Sequence, residues 1–300
     1  MVLNKKLNRV IKCNVLFLIV ACMVSFKKNK ENDTGINGPA MDGTASSIYP
    51  MAAKENEARR NTQCTNNKTV SYGAIIRGDS TIKNIALVFT GDEFADGGDF
   101  IDSVLQSKNM NGSFFLTGNF YSNQQFKNLI IRLKGHGNYL GPHSDKHLLY
   151  CDWIKRDSLL ITKEAFKNDL QAAYKKLRQF SIGKNDAHYF LPPYEWHNDS
   201  IASWTKEMGL QLINFTPGTR SNADYTYPEQ ESRYVSSDSV FNSILNYEQK
   251  SSGGLNGFIL LTHIGTDPRR TDKFYYKLPA LIDTLKSRKY RFVTIDKLLQ

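Results

Sequence analysis

The stretch Gly141-Pro142-His143-Ser144-Asp145-Lys146-His147 places two histidines four residues apart. On a helix, both imidazoles would lie on one face and could bind the same metal ion. A catalytic metal site of the open kind takes about three protein ligands and leaves one position for water. The best candidate for the third ligand is Gly91-Asp92-Glu93, which follows an apolar run. Histidines with this spacing also occur in helix caps or facing solvent. Other parts of the chain must therefore distinguish a metal site from such a structural pair.

The composition is that of one sizeable globular domain preceded by N-terminal features. The chain has 300 residues, of which 23% are charged, with a formal net charge of +10 and a pI of about 9.3. The basic residues are spread along the sequence and form no stripe interleaved with aromatic residues. Such a charge favours anionic surfaces in general, and the pattern contains no nucleic-acid-binding motif.

The N-terminus has the pattern of an export signal. A basic segment precedes the apolar run Val15–Val24, which is shorter than the roughly 20 residues that span a bilayer. Ile19-Val20-Ala21-Cys22 resembles the lipobox of bacterial lipoproteins. We therefore predict that residues 1–22 are a signal peptide of the lipoprotein type, with ordinary cleavage and free secretion as the alternative.

Residues 23–69 are predicted to be a flexible tether, because they contain too few large apolar residues to offset the entropy of ordering. Cys13 and Cys22 belong to the leader, so Cys64 and Cys151 are the cysteines that remain. These two make neither a disulfide framework nor a C-x-x-C metal motif. The domain formed by residues 70–300 must therefore be held together by its hydrophobic core.

From Val70 onward, short β-rich apolar runs alternate with amphipathic stretches, of which the helix from Thr162 is the clearest. We predict strands at Gly73–Arg77, Ile85–Phe89, Gly112–Thr117, Asn138–Gly141, Ala187–Leu191, Gln211–Phe215, Gly257–Thr262 and Tyr290–Thr294. We predict helices at Asp99–Lys108, Asn123–Lys134, Thr162–Phe180, Asp199–Met208, Ser237–Gln249 and Phe274–Lys286. This alternation indicates parallel strands with helical crossovers, and the length fits a closed or nearly closed (β/α) barrel.

Polar residues follow five of these strands at the point where each strand ends. In a parallel barrel the carboxyl ends of the strands meet at one face, where functional residues lie. The groups are Thr90-Gly91-Asp92-Glu93, His143 with His147, Pro192-Pro193-Tyr194, Thr216-Pro217-Gly218-Thr219-Arg220, and His263. Their shared position favours a metal site over a chance pair of histidines. Structural roles remain open for several of them, such as a helix cap, a buried histidine, core aromatic residues or a solvated loop charge.

The order and spacing of these groups resemble the polysaccharide deacetylases of carbohydrate esterase family four, over residues 70–300. His143-Ser144-Asp145-Lys146-His147 matches the motif H-[ST]-x-x-H, and Leu261-Thr262-His263 matches L-x-H. Three further motifs match in part: Thr90-Gly91-Asp92-Glu93 for T-F-D-D, Leu191-Pro192-Pro193-Tyr194 for R-x-P-[YF], and Asp224-Tyr225 for an Asp-Trp pair. The segment 89–98 is similar to a divergent branch found in gut and oral Bacteroidetes. The resemblance implies a distorted (β/α) barrel with about seven strands.

The resemblance also implies a role for each matched residue in metal-assisted deacetylation. Glu93, His143 and His147 would bind a divalent ion, most readily zinc given two imidazoles and a carboxylate. Asp92 would accept a proton from water, and His263 would protonate the leaving amine or alcohol. A backbone N–H near Tyr194 would stabilise the oxyanion. The residues expected to contact substrate are Pro193, Tyr194, Arg220, Asp224 and Tyr225.

Two departures from the family pattern bear on these roles. The family's arginine, which orients the base carboxylate, is replaced by Leu191. Either Asp92 is less well oriented, or Arg220 reaches it from the next strand end. Glu93 stands where the family has Asp, so Asp92 and Glu93 could exchange their roles as base and ligand.

The sequence therefore predicts an exported, metal-dependent hydrolase that removes N- or O-linked acetyl groups from a glycan such as peptidoglycan or a chitin-like polymer. One alternative is a carbohydrate-binding or scaffold protein that keeps the fold and has lost efficient chemistry. Another is a non-haem iron protein, because two histidines and a carboxylate also form a facial triad. The expected partners are an acetylated polysaccharide or oligosaccharide and, through a lipid anchor alone, the membrane. We expect a monomer in the cell envelope or secreted.

Overall fold

A computed structural model describes residues 67–300 and the backbone of the strand Thr62–Thr65. The predicted signal peptide, its lipobox and most of the predicted tether lie outside the described residues. Within the described part, no helix is long and apolar enough to cross a membrane.

The described chain alternates short strands with helices. The strands are β1 (Thr62–Thr65), β2 (Lys68–Ser71), β3 (Ala74–Arg77), β4 (Asn84–Gly91), β5 (Ser113–Leu116), β6 (Tyr139–Pro142), β7 (Tyr189–Phe190), β8 (Gln211–Leu212), β9 (Phe258–His263) and β10 (Arg291–Phe292). The helices are α1 (Gly98–Ser107), α2 (Gly118–Ser122), α3 (Lys127–Gly135), α4 (Lys163–Leu177), α5 (Asp199–Glu207), α6 (Ser237–Lys250), α7 (Leu278–Ser287) and α8 (Ile295–Leu298). All the predicted strands and helices are present, several of them shorter than predicted.

The main sheet is mixed, with the strand order β1-β2-β3-β9-β4-β5-β6, and β10 pairs with β4. Strands β9, β4, β5 and β6 are parallel neighbours, as the alternation predicts. The prediction of parallel strands throughout was wrong for β3, which pairs antiparallel with both β2 and β9. The chain reaches β3 through a tight turn from β2 rather than through a helix, and a tight turn joins antiparallel strands.

A second sheet, formed by β7 and β8, lies between β6 and β3 of the main sheet. The Leu191 N–H donates to the Pro142 carbonyl oxygen over 3.4 Å, which links β7 to β6. On the other side, Ile213 forms a parallel bridge with Ile75 of β3. These links curl the sheet into the distorted barrel that the sequence predicts.

Alternating side chains of the strands fill two separate cores. On β4, Ala86 and Val88 point into the barrel, where Phe115, Leu191 and Leu261 are also buried. Intervening β4 residues such as Leu87 pack against the surrounding helices. A strand buried on both faces has to be apolar throughout, which is why β4 and β9 read as continuous apolar runs.

The predicted helix from Thr162 forms as α4. The Thr162 hydroxyl accepts a hydrogen bond from the Ala165 N–H over 3.2 Å, which caps the first turn. Its apolar stripe is buried, and a 3-10 turn continues it to Phe180.

The predicted tether ends earlier than expected. Strand β1 lies inside residues 23–69 and pairs antiparallel with β2, with Thr62 opposite Ser71. The polar composition of this segment predicts a flexible chain, but backbone pairing with a neighbouring strand satisfies its N–H and C=O groups regardless of composition. Cys64, which we placed in the tether, therefore lies in a strand.

His197 is a buried histidine that the fold keeps neutral. It is 1% exposed, and its Nδ1 accepts from the Asn214 side chain over 3.2 Å. Burial, together with the charge of Arg156, lowers the pKa of His197 from 6.5 to about 3. In the unfolded chain His197 therefore binds a proton near pH 6.5, whereas in the folded chain it binds one only near pH 3. Acid consequently destabilises the fold.

We expect the free energy of unfolding to fall as the pH drops from 6.5 towards 3, with His197 contributing about 1.4 kcal/mol per pH unit. Replacing His197→Gln keeps a hydrogen-bonding side chain but removes the titration. Urea unfolding between pH 7 and pH 5 should show a shallower pH dependence for the variant than for the wild type. Equal slopes would contradict the assignment.

Candidate active site

The register of the parallel strands brings the predicted site residues to one end of the barrel. Thr90 lies opposite His263, and Gly91 lies opposite Leu116. Leu116 in turn pairs with Pro142, which directly precedes His143. The end of β4, which leads into Asp92, is therefore flanked by the strand ends that carry His263 and His143.

The two histidines of the opening stretch do not share a helix. Residues 143–147 form a turn in which Ser144 and His147 have φ angles of 70° and 55°. The expectation of a helical face was wrong, because a helix requires negative φ angles at both positions. The turn still brings the two imidazoles together, with ring centroids 5.0 Å apart.

A buried carboxylate holds this turn in place. The side chain of Asp169 on α4 accepts hydrogen bonds from the backbone N–H groups of Asp145 and Lys146, over 2.9 and 3.1 Å. The Ser144 hydroxyl accepts from the His147 N–H over 2.8 Å. The N–H groups that a helix would have used internally thus find side-chain acceptors instead.

Both histidines are held in the neutral form that binds metals. The Nδ1 atom of His143 lies 2.8 Å from the Leu191 carbonyl oxygen, which fixes the proton on Nδ1 and leaves Nε2 to act as a ligand. Burial lowers the pKa of His143 well below its usual value. Burial also lowers the pKa of His147, against the opposing charge of Asp92.

Asp92 is held by neutral donors rather than by an arginine. The Thr117 hydroxyl donates to Asp92 Oδ1 over 2.6 Å, and the Asn119 side-chain amide donates to the same oxygen over 3.4 Å. Arg220 is exposed and, among the described residues, makes no ion pair with Asp92. The possibility that Arg220 replaces the family's arginine is therefore not supported.

Leu191 belongs to the barrel interior. Its side chain is fully buried with Val88, Phe115 and Leu261. A guanidinium at this position would have to be buried among apolar residues, at a large desolvation cost. The carbonyl of Leu191 nevertheless contributes to the site, because it orients His143.

His263 is paired with Asp224. Asp224 is 2% exposed, and its two carboxylate oxygens accept from the Nδ1 and the backbone N–H of His263, over 2.6 and 2.9 Å. Burial opposes the charged imidazole, but the Asp224 carboxylate outweighs it and raises the pKa of His263 above its usual value. The substrate contact expected for Asp224 stays a prediction. Tyr225 lies edge-on to the His263 ring, with centroids 5.1 Å apart.

Tyr194 lies beside the histidine pair. Its ring centroid is 4.4 Å from that of His147, and its φ angle of 57° is left-handed, as is that of Glu195 at 51°. Burial, and then the charges of Asp92 and Glu93, raise the pKa of Tyr194. Pro193 is buried beneath the turn.

The donor set fits a divalent ion in part. His143 and His147 supply two neutral imidazoles, and Asp92 and Glu93 are the nearby carboxylates, of which Glu93 is exposed. Among the described residues, no three His, Cys, Asp or Glu side chains are gathered closely enough to hold a metal. The third ligand is therefore not brought into place, and its identity as Asp92 or Glu93 stays a prediction.

Several residues that position the site escaped the sequence analysis. They are Thr117 and Asn119 beside Asp92, Asp169 beneath the histidine turn, and Trp153, whose ring lies 5.6 Å from Tyr194. The position of Thr117 could have been recognised from the sequence, because it follows the apolar run of β5 and is a residue type that caps helices. Asp169 and Trp153 lie in a helix and a loop with no local pattern that links them to the histidines.

Solved structures with this fold include carbohydrate deacetylases. The peptidoglycan N-acetylglucosamine deacetylase Bc1960 superposes with a TM-score of 0.61 at 19% identity, covering 76% of this chain and 94% of that protein. A CE4 family pseudoenzyme from Bacillus anthracis superposes with a TM-score of 0.58 at 16% identity, covering 83% of this chain and 82% of its own. The architecture is that of the polysaccharide deacetylases, a mixed sheet curled into a partial barrel with surrounding helices.

Residues 79–213 match the sequence model described as polysaccharide deacetylase. A chitin deacetylase from Arthroderma benhamiae is 25% identical over 233 residues, which are 77% of this chain and 56% of that protein. Residues 79–213 thus resemble the polysaccharide deacetylases in sequence, and the described chain shares its fold with solved deacetylases.

The pairing of Asp224 with His263 makes a prediction about protonation. An Asp224→Asn change removes the negative charge that favours the imidazolium, so the pKa of His263 should fall. NMR titration of the His263 ring protons measures this directly, without any activity assay. Asp238→Asn, on an exposed α6 carboxylate paired with Lys277, should leave the titration unchanged, and an unchanged midpoint in the Asp224 variant would refute the pairing.

Proposed function

We propose that this protein is an exported, metal-dependent deacetylase that removes acetyl groups from an acetylated polysaccharide or oligosaccharide. The observation that carries the proposal is the convergence of two neutral histidines, a held carboxylate and a carboxylate-paired histidine at one barrel end. Together these groups provide what acetyl hydrolysis needs: a place for a cation, a base and an acid. The match of residues 79–213 to the polysaccharide deacetylase model supports the same reaction class.

His143 and His147, with Asp92 or Glu93, would hold the ion, for which zinc is the best match to imidazole and carboxylate donors. A bound divalent ion lowers the pKa of a water molecule and polarises the acetyl carbonyl. Asp92 accepts the proton of the attacking water while Thr117 keeps its carboxylate oriented. If Glu93 takes this role instead, Asp92 becomes the ligand.

His263 is the proton donor in this proposal. The Asp224 carboxylate raises the pKa of His263 and so favours the imidazolium, and its bond to Nδ1 fixes the ring with Nε2 pointing away from Asp224. It gives its proton to the departing amine or alcohol. The backbone N–H of Tyr194 is the proposed oxyanion donor, and Pro193, Arg220 and Tyr225 are the proposed contacts to the glycan.

The relatives suggest the substrate class. One acts on peptidoglycan N-acetylglucosamine and another on chitin by their names, so we propose N-acetylglucosamine polymers first and O-acetylated glycans second. For the location, we propose a cell-envelope lipoprotein or a secreted protein, based on residues 1–22. Radiolabelled palmitate incorporation that is lost in Cys22→Ala would test the anchor.

Acetate release decides between an enzyme and a binding protein. The wild type, loaded with zinc or cobalt, should release acetate from N-acetylglucosamine oligomers. The double change His143→Ala/His147→Ala should reduce the rate to background and abolish stoichiometric zinc binding, because both imidazole ligands are lost. Equal, slow release by both proteins would rule out the proposed reaction.

Thr117 should matter for the rate because it holds the proposed base. Thr117→Val removes the hydroxyl while keeping the shape, and we expect kcat to fall about 10- to 100-fold, since a hydrogen bond to a charged group contributes about 1.5–3 kcal/mol. Thr117→Ser keeps the hydroxyl and should retain most of the rate. If Thr117→Val turns over like the wild type, Asp92 is not held through this bond in the reaction.

A second candidate function is a glycan-binding protein with weakened chemistry. Two observations favour it: the third metal ligand is not gathered with the histidines, and the fold is shared with a pseudoenzyme. This candidate predicts binding of acetylated oligosaccharides by calorimetry together with the absence of acetate release at any metal loading. Metal analysis after anaerobic purification separates both candidates from an iron protein, since retained zinc without iron excludes the latter.

A further inference from the structure

A continuous column of planar side chains leads from the β2–β3 turn to the candidate active site. Each ring or guanidinium lies against the next, with Arg156 3.7 Å from the ring centroid of Tyr72 and 3.9 Å from that of Trp196. Trp196 and Trp153 follow at 5.7 Å, Trp153 and Tyr194 at 5.6 Å, and Tyr194 and His147 at 4.4 Å. The column therefore connects a hairpin on one side of the domain with a candidate metal ligand.

The end of the column nearest the site is a strained turn. Tyr194 and Glu195 are consecutive non-glycine residues with left-handed φ angles, a conformation that persists only when the surroundings hold it. The Asn214 side chain donates to the Glu195 carbonyl oxygen over 2.7 Å, and the Trp196 indole N–H donates to the Asp152 carbonyl oxygen over 3.1 Å. These bonds hold the turn, and the rings of Trp153 and His147 lie against the Tyr194 side chain.

Arg156 lies in the middle of the column. It is 7% exposed, and its Nε donates to the His197 carbonyl oxygen over 2.6 Å. The Asn198 side chain donates to the Arg156 carbonyl oxygen over 3.0 Å. A flat guanidinium can stack on two aromatic faces at once, which the compact ammonium of lysine cannot do.

We propose that Arg156 is a positioning residue of the active site, acting through Trp196 and Trp153 on Tyr194. By keeping the Tyr194 ring against His147, the column sets the orientation of this imidazole and of the Tyr194 turn. The inference rests on the proposed function insofar as His147 binds a metal and the turn faces substrate. Its structural half, the ordering of His147 by the column, does not require either.

The test compares planar and non-planar replacements. Arg156→Lys keeps the charge but loses the stacking, and Trp153→Ala removes the ring that touches Tyr194. Both should weaken zinc binding, measured by calorimetry, and lower kcat by about tenfold, as loss of residues that orient a ligand does. KM should change little. Trp153→Phe restores an aromatic ring and should recover most of both values. Lys155→Ala, an exposed neighbour on the same loop, is the matched control and should behave as the wild type.

A metal-free measurement separates the two proposals. In the protein without zinc, the NMR shifts of the His147 ring protons report the Tyr194 ring beside them. They should move in Trp153→Ala and return in Trp153→Phe, whether or not the wild type binds zinc or releases acetate. Suppose that the His147 shifts move in Trp153→Ala and return in Trp153→Phe, but the wild type does not bind zinc. This result would overturn the proposed function and support the positioning role. Unmoved His147 shifts, or zinc affinity and kcat unchanged in folded Arg156→Lys and Trp153→Ala, would overturn the role of Arg156.

Discussion

The parallel pairing of β9, β4, β5 and β6 is the constraint on which the site depends. This register sets Thr90 opposite His263 and Leu116 opposite Pro142, so the residues that follow these strands meet at one end of the barrel. The strands contribute almost nothing polar themselves, because both of their faces are buried. An apolar sheet with fixed register thus supports a polar site made entirely of strand ends and loops.

The sequence predicted strands β3 to β10, six of the eight described helices and the barrel end that carries the candidate site, because these follow from hydrophobic periodicity and from the rule for parallel strand ends. It did not predict the turn that carries His143 and His147. The spacing of four fits a helix, whereas the real geometry depends on positive φ angles at Ser144 and His147 and on Asp169, which lies on another element. Nothing in the sequence of residues 143–147 distinguishes a helix from this turn. The antiparallel β3 was missed for a similar reason, since its partners β2 and β9 are set by tertiary pairing.

Leu191 shows how a substitution at a functional position can be compensated by the fold. Its side chain extends the apolar interior of the barrel, while its carbonyl still orients His143. Asp92 is instead oriented by the Thr117 hydroxyl, whose oxygen also accepts from the Phe120 N–H over 3.1 Å. With its oxygen engaged by that N–H, the hydroxyl directs its single proton at Asp92, so the bond is well defined in direction.

The two titratable centres of the site are therefore held in different ways. His263 is held by a carboxylate, whose charge favours the imidazolium and so suits a proton donor. Asp92 is held by a hydroxyl and an amide, which orient a carboxylate without placing a positive charge next to it. A cationic group beside Asp92 would repel a divalent ion bound to the nearby histidines, whereas neutral donors would not. In the proposed function, Thr117 and Asn119 therefore orient Asp92 without adding a cation that would compete with the proposed metal for its carboxylate.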